Sequence, residues 1–185
     1  HLAVSLERLQ YRVKHEIQRI GCSATIRPLD KIAEYLVGYD SSGRQRDCCI
    51  IDTGIRKGLD IRVDVPVVDF LSASRSTVWN NAYELLLKAV NRAETTLIFC
   101  NSRYKAERTY HRMYELCGGT IPMGVHHSSL IKEKRFEMEA RLKKGELKAL
   151  IATSSLEMGI DVGSIEQVYQ LESVKSVSTG LQRIG

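Results

Sequence analysis

The stretch Ala152-Thr153-Ser154-Ser155-Leu156-Glu157-Met158-Gly159-Ile160-Asp161 gathers groups suited to a phosphorylated ligand. Thr153 and Ser154 can donate hydrogen bonds to a phosphate just where a strand ends. Gly159 permits a sharp turn or close ligand approach, and Asp161 is an acceptor suited to a ribose hydroxyl. Each residue taken singly also fits an ordinary capped loop. Asn101-Ser102-Arg103 is a second such group: a helix start offers free N–H groups and a favourable dipole to a phosphate, and Arg103 adds charge. A plain helix cap by Asn101 or Ser102 accounts for the same residues. The third is His126-His127-Ser128-Ser129, suited to a nucleic-acid backbone. Its plainer alternative is one His packed at a strand end, with Ser128 or Ser129 capping the next helix. Glu133 is the only acid nearby, so no metal site is expected. Ser, His and Asp are all present, yet no Gly-x-Ser-x-Gly elbow supports a hydrolase.

Those groups need elements to hold them. Apolar residues at helical spacing (Leu2, Leu6, Leu9, Val13) predict a first helix. Ile17–Cys22 reads as a short strand, Pro28 as a helix start with Ile32, Ala33 and Leu36 as its stripe, and Cys48–Ile51 as a buried strand. Gly54, Arg56, Lys57, Gly58 and Pro66 mark a connector, which divides the chain into residues 1–57 and 58–185. Beyond it come a helix near Thr77–Arg92, strand Thr96–Cys100, and a helix with Ala106, Tyr110, Met113 and Cys117 on one face, stopped by Gly118-Gly119. A strand reaching His126, a charged helix to Gly145, strand Lys148–Thr153, strand Gln167–Leu171 and a helix from Ser176 follow. Strands alternating with helices predict an α/β fold with a parallel sheet covered on both faces. In such sheets ligands bind beyond the carboxyl ends of the strands, so the three polar loops should share one edge. The charged run from Lys132 to Lys144 is assigned to a solvated helix face, and Trp79 to a core or interface anchor.

A chain of 185 residues can bury one good core, or one and part of another. No apolar run approaches the roughly 20 residues that span a bilayer, so no membrane partner is expected. His1 is not an initiator Met and the opening reads as the middle of a helix, which predicts a fragment of a longer protein. The five cysteines are odd in number and irregularly spaced, which predicts reduced, buried thiols in a cytoplasmic protein. A net charge of +5 is compatible with a polyanionic partner and does not require one.

Taken in order, Ser23-Ala24-Thr25, Leu97–Ser102, Thr153–Asp161 and Gln182-Arg183-Ile184-Gly185 resemble motifs III, IV, V and VI of superfamily 2 helicases. The resemblance covers nearly the whole chain. His126-His127-Ser128-Ser129-Leu130, the Thr153–Asp161 loop and Lys175-Ser176-Val177 resemble the Lhr (large helicase-related) branch of the DExH type. Cys22 and Met158 stand where that branch usually has Leu, and Val174 where Pro is common.

This resemblance implies that residues 1–57 are the C-terminal portion of a first RecA-like domain and 58–185 most of a second. It implies ATP with Mg2+ between the two domains, and single-stranded DNA or RNA running across both. The remainder of the first RecA-like domain would then be a partner. Ser23, Ala24 and Thr25 would couple ATP state to domain closure. Asn101, Ser102, Arg103, His127, Ser128, Thr153 and Ser154 would serve the nucleic-acid backbone. Gly159 and Asp161 would approach the ribose, and Gln182 and Arg183 would face the phosphates as catalytic residues. The Walker A loop, the magnesium-holding acids and the arginine fingers would lie outside this chain, which contains no Gly-x-x-x-x-Gly-Lys-Ser/Thr. The implied parent is an ATP-dependent helicase or translocase acting in DNA repair or recombination. A non-catalytic nucleic-acid-binding module on a helicase-like scaffold is the alternative.

Overall fold

The computed structural model describes residues 1–23, 27–52, 58–156 and 165–184. The chain divides into two compact units, His1–Asp60 and Ile61–Gly185. The expected division after residue 57 falls at the edge of an undescribed stretch.

The first unit holds α1 (Leu2–Arg12) and α2 (Leu29–Val37), the latter starting behind Pro28 as expected. No α1 residue is buried, and α2 buries only Ala33 and Val37. What organises this unit is charge. The Glu7 carboxylate accepts from Arg19 Nη1 at 2.7 Å and from Arg46 Nη1 and Nη2 at 2.8 and 3.0 Å. The same arginines donate to the Val37 carbonyl, at 2.9 and 2.7 Å, so they also satisfy the open end of α2. Gly38 follows with φ 63°, and a Cβ there would stand 2.2 Å from Glu7 Oε1, so the knot needs glycine for conformation and for space.

Two expected strands are corrected here. Ile17–Cys22 and Cys48–Ile51 form no ladder, and residues 48–51 are exposed. A strand needs a neighbour's N–H and C=O groups. Among the described residues this unit supplies only the isolated Tyr39–Gln45 bridge. The expectation of buried thiols fails with them: Cys22, Cys48 and Cys49 are exposed, Cys117 is half-buried and only Cys100 is buried. Burial pushes the Cys100 thiol up to about 11, which leaves it unreactive.

The second unit contains α3 (Arg75–Arg92), β1 (Thr96–Phe99), α4 (Arg103–Leu116), β2 (Met123–His126), α5 (Lys132–Lys143), β3 (Ala149–Ala152), β4 (Gln167–Gln170) and α6 (Val177–Ile184). The sheet is parallel with strand order β2-β3-β1-β4. It is the RecA-like α/β sheet flanked by helices. Period-two alternation divides its core. Ile98, Cys100 and Ile151 face Tyr83, Leu86 and Val90 of α3 and Ala106 and Met113 of α4. Leu97, Phe99, Leu150 and Ala152 face the other way, onto Leu142, Leu147 and Leu156. Trp79 packs against the first cluster, its ring 5.9 Å from that of Tyr83, as an anchor of the core. Helix α4 ends where Gly118 and Gly119 take φ 60° and 72°. Helix α5 buries only Leu142, and most of its charges face solvent, Glu139 turning inward to His126.

The Glu7 knot makes the first unit acid-sensitive. Hydrogen bonds from Arg46 and then Arg19 lower the Glu7 carboxyl from 4.5 to about 2. The unfolded chain therefore takes up this proton first, and the stabilisation is lost as pH falls from about 4.5 through about 2. Hydrogen exchange at the Gly38 amide, which donates to the Glu34 carbonyl at 2.9 Å, reports it. The expected result is protection lost over that window in the wild type. Glu7→Gln should already exchange faster at neutral pH, with no such acid transition.

Candidate functional site

Because β1, β2 and β3 run parallel with Phe99, Ala152 and His126 in register, the chain leaves all three strands along one edge. The start of each loop is tied to its neighbour: Cys100 N–H donates to the Ala152 carbonyl at 2.8 Å, and Thr153 N–H to that of His126 at 3.1 Å. The polar loops therefore share one edge, as the alternation of elements predicted.

Within the first loop, Ser102 is the cap of α4 and accepts from the Lys105 N–H at 3.3 Å. Asn101 donates its side-chain amide to the Ser173 carbonyl at 2.9 Å. Arg103 is exposed and bridges to the second loop, donating from Nη1 to Ser129 Oγ at 2.9 Å. Ser128 and Ser154 are exposed on the same edge, whereas His127 and Thr153 are buried. His127 pairs through Nε2 with Glu107 Oε1 at 2.7 Å. Neither Ser128 nor Ser129 caps α5, whose N-cap is Ile131 with no side-chain hydrogen bond.

A serine, a histidine and an acid do meet, though Ser128 is not among them. His126 Nδ1 lies 2.9 Å from Ser155 Oγ, and its Nε2 lies 3.0 Å from Glu139 Oε1. The carboxylate can only accept, so Nε2 carries the proton and Nδ1 accepts from the Ser155 hydroxyl. His126 is 1% exposed, and this sealed relay joins β2, α5 and the 3-10 turn Ser154–Leu156. That burial closes the imidazole to a substrate and removes the support for a hydrolase.

On α6, Gln182 is exposed. Arg183 is 8% exposed, with its guanidinium 5.0 Å over the Phe99 ring and Nη1 donating to Gln170 Oε1. Ser23 is exposed and outside regular structure in the first unit. Ala24, Thr25, Gly159 and Asp161 lie outside the described residues. Among the described residues no three His, Cys, Asp or Glu side chains gather as a metal site, and no helix is long and apolar enough to cross a membrane. Glu107 and Glu139 lie outside the sequence motifs, and Ser155 lies inside the Thr153–Asp161 motif without being singled out by it. Glu107 is one turn beyond Arg103, so helical spacing could have found it. Glu139 and Ser155 meet only through the adjacency of β2 and β3, which no local pattern encodes.

Residues 79–185 match the helicase conserved C-terminal domain family. The chain belongs to that family. Within these helicases it is a superfamily 2 sequence of the Lhr branch. It is 44% identical, over its whole length, to the ATP-dependent helicase Lhr-Core of Methanothermobacter thermautotrophicus, and 45% identical to that of Methanocaldococcus jannaschii. It spans only 22% and 21% of those two proteins. Among solved structures it resembles the Mycobacterium smegmatis helicase Lhr bound to ssDNA and AMP-PNP. That match has a TM-score of 0.82 and 39% identity, and covers 100% of this chain and 24% of the other.

His126 makes the helicase domain sensitive to mild acid. Burial lowers its pKa from 6.5, against the upward pull of Glu139. Below about 6.5 the unfolded chain binds the proton first, so stability falls as pH drops, by up to about 1.4 kcal/mol per pH unit. Urea unfolding at pH 7 and pH 5 should show this decline in the wild type. His126→Gln should be less stable at pH 7 and show a flatter dependence.

Proposed function

We propose that this chain is the part of an ATP-driven nucleic-acid helicase or translocase spanning the end of one RecA-like domain (residues 1–57) and most of the next (58–185). ATP, with Mg2+, is hydrolysed in the cleft between the two domains, and cleft closure moves the protein along single-stranded nucleic acid. One observation carries this reading. The loops after β1, β2 and β3 leave the sheet along a single edge, in a chain similar over its whole length to a helicase solved with ssDNA and AMP-PNP.

In this reading Asn101, Ser102, Arg103, His127, Ser128, Thr153 and Ser154 serve the strand backbone. The exposed members touch it, and the buried His127 and Thr153 shape the loops. Gly159 and Asp161 approach the ribose, and Gln182 and Arg183 the phosphates. Phosphoryl transfer develops negative charge that a guanidinium stabilises, and the exposed amide of Gln182 suits a phosphate oxygen. Ser23, Ala24 and Thr25 couple ATP state to closure. The Mg2+ ligands are assigned to other parts of the protein. DNA repair or recombination is the proposed setting, in keeping with a Mycolicibacterium smegmatis relative named as Lhr helicase and probable uracil glycosylase, 36% identical over the whole of this chain.

ATP turnover by the full-length protein, with and without single-stranded DNA or RNA, tests the motor. Stimulation by a strand is expected, and residues 1–185 alone should give nothing above a buffer control. A folded full-length protein that binds the strand without turnover would be a binding module instead. Arg103→Ala should weaken strand binding to a similar degree on unrelated sequences. It should also reduce the slope of log affinity against log salt by about 0.7. A loss confined to one sequence would mean that Arg103 reads bases.

A further inference from the structure

The loop from β4 to α6 is tied to the first turn of α4 by an ion pair to which the proposed function gives no role. Lys105 of α4 pairs with Glu172, beside the bond from Asn101 to the Ser173 carbonyl. Among the described residues Glu172 is the one non-glycine with a left-handed backbone, φ 74°. A residue bearing a Cβ keeps that conformation only where its surroundings hold it. They do so from both sides. Leu171 N–H donates to the Phe99 carbonyl at 2.9 Å, which keeps the chain in the ladder, and Asn101 holds Ser173. Between these ties the chain must turn, and Lys105 holds the side chain at the turn.

Charge explains why Lys105 takes this partner. The first turn of α4 carries Arg103 and Lys105 and no acid, at the helix end where the dipole disfavours cations. Glu172 neutralises Lys105. Arg103 instead donates to the uncharged Ser129 hydroxyl, so it keeps its charge for a phosphate. On the other side of the turn, Gln170 Nε2 donates to the Leu171 carbonyl at 3.1 Å, and Gln170 Oε1 accepts from Arg183. Polar contacts thus run from the first turn of α4, through the left-handed turn, to α6.

We propose that the Lys105–Glu172 pair is a latch coupling the strand-facing start of α4 to α6, which makes both residues positioning residues. Such a latch rests on the helicase function proposed for the chain. A strand phosphate drawn to Arg103 shifts the first turn of α4. The latch passes that shift to the turn at Glu172, and Gln170 carries it to Arg183. The left-handed turn is the element that both sites bias.

The experiment measures ATP turnover and strand affinity of the full-length protein as wild type, Lys105→Ala, Glu172→Gln, and the exchange Lys105→Glu with Glu172→Lys. Unstimulated turnover and strand affinity should stay near wild type in all of them. Strand-stimulated kcat should fall about two- to thirtyfold in each single variant and recover in the exchange. Normal stimulation in the single variants overturns the latch alone. So does a loss that the exchange fails to restore, since the residues then act separately. Lys105→Ala that weakens strand binding while Glu172→Gln strengthens it makes Lys105 a phosphate contact and also overturns the latch. Reduced unstimulated turnover indicates a general structural role and overturns it as well. A wild type without strand stimulation removes the proposed function, and the latch with it.

Discussion

Parallel pairing of strands buried on both faces is the constraint on which the second unit depends. Thr96, Ala149 and Met123 begin their strands in register, so Phe99, Ala152 and His126 end them together. The central residues Leu97 to Phe99 and Ala149 to Ala152 are all buried. Burying each large apolar side chain is worth about 1.5–3 kcal/mol. A one-residue slip would exchange the two faces of a strand and place Ile98 and Ile151 against the wrong helices. Register is therefore strongly specified, and with it the alignment of every loop at the carboxyl edge.

Polar contacts refine what the ladder positions. Arg103 joins the first loop to the second through Ser129, His126 joins β2 to α5 and to the turn after β3, and Asn101 and Lys105 reach the loop after β4. Most of these contacts cross between elements distant in sequence, although His126–Glu139 joins the consecutive β2 and α5. The edge is thus cross-linked along its length, while Arg103, Ser128 and Ser154 stay exposed. In the proposed function this would leave Arg103 partly ordered for a phosphate, because its hydrogen bond to Ser129 already holds the side chain.

The first unit rests on different physics. With no residue of α1 buried and only Ala33 and Val37 buried in α2, apolar packing contributes little. Two arginines converging on Glu7 and on the end of α2 replace it. Arg19 has a 5% exposed side chain, so loss of that carboxylate would leave a buried guanidinium without its counter-ion. The same scarcity of neighbours explains why apolar runs such as Cys48–Ile51, which look like core strands, stay outside any sheet.

Periodicity alone determined the alternation of helices and strands from Arg75 onward, and the caps marked their ends. Ser102 before α4 and the Gly118-Gly119 pair after it are local signals, since each satisfies or releases backbone groups within one turn. The parallel sheet and the common edge of the polar loops followed from that alternation. Partners across the sheet did not, because strand order β2-β3-β1-β4 is a property of the assembled fold. Only the tertiary structure decided that Ser155 and Glu139 meet at His126, and that Glu107 pairs with the buried His127. It also decided that Arg183 packs over Phe99. Within the first unit it likewise withheld the strands that the apolar runs suggested. A strand is completed by its neighbour's hydrogen bonds, and a run of residues carries no information about whether that neighbour is there.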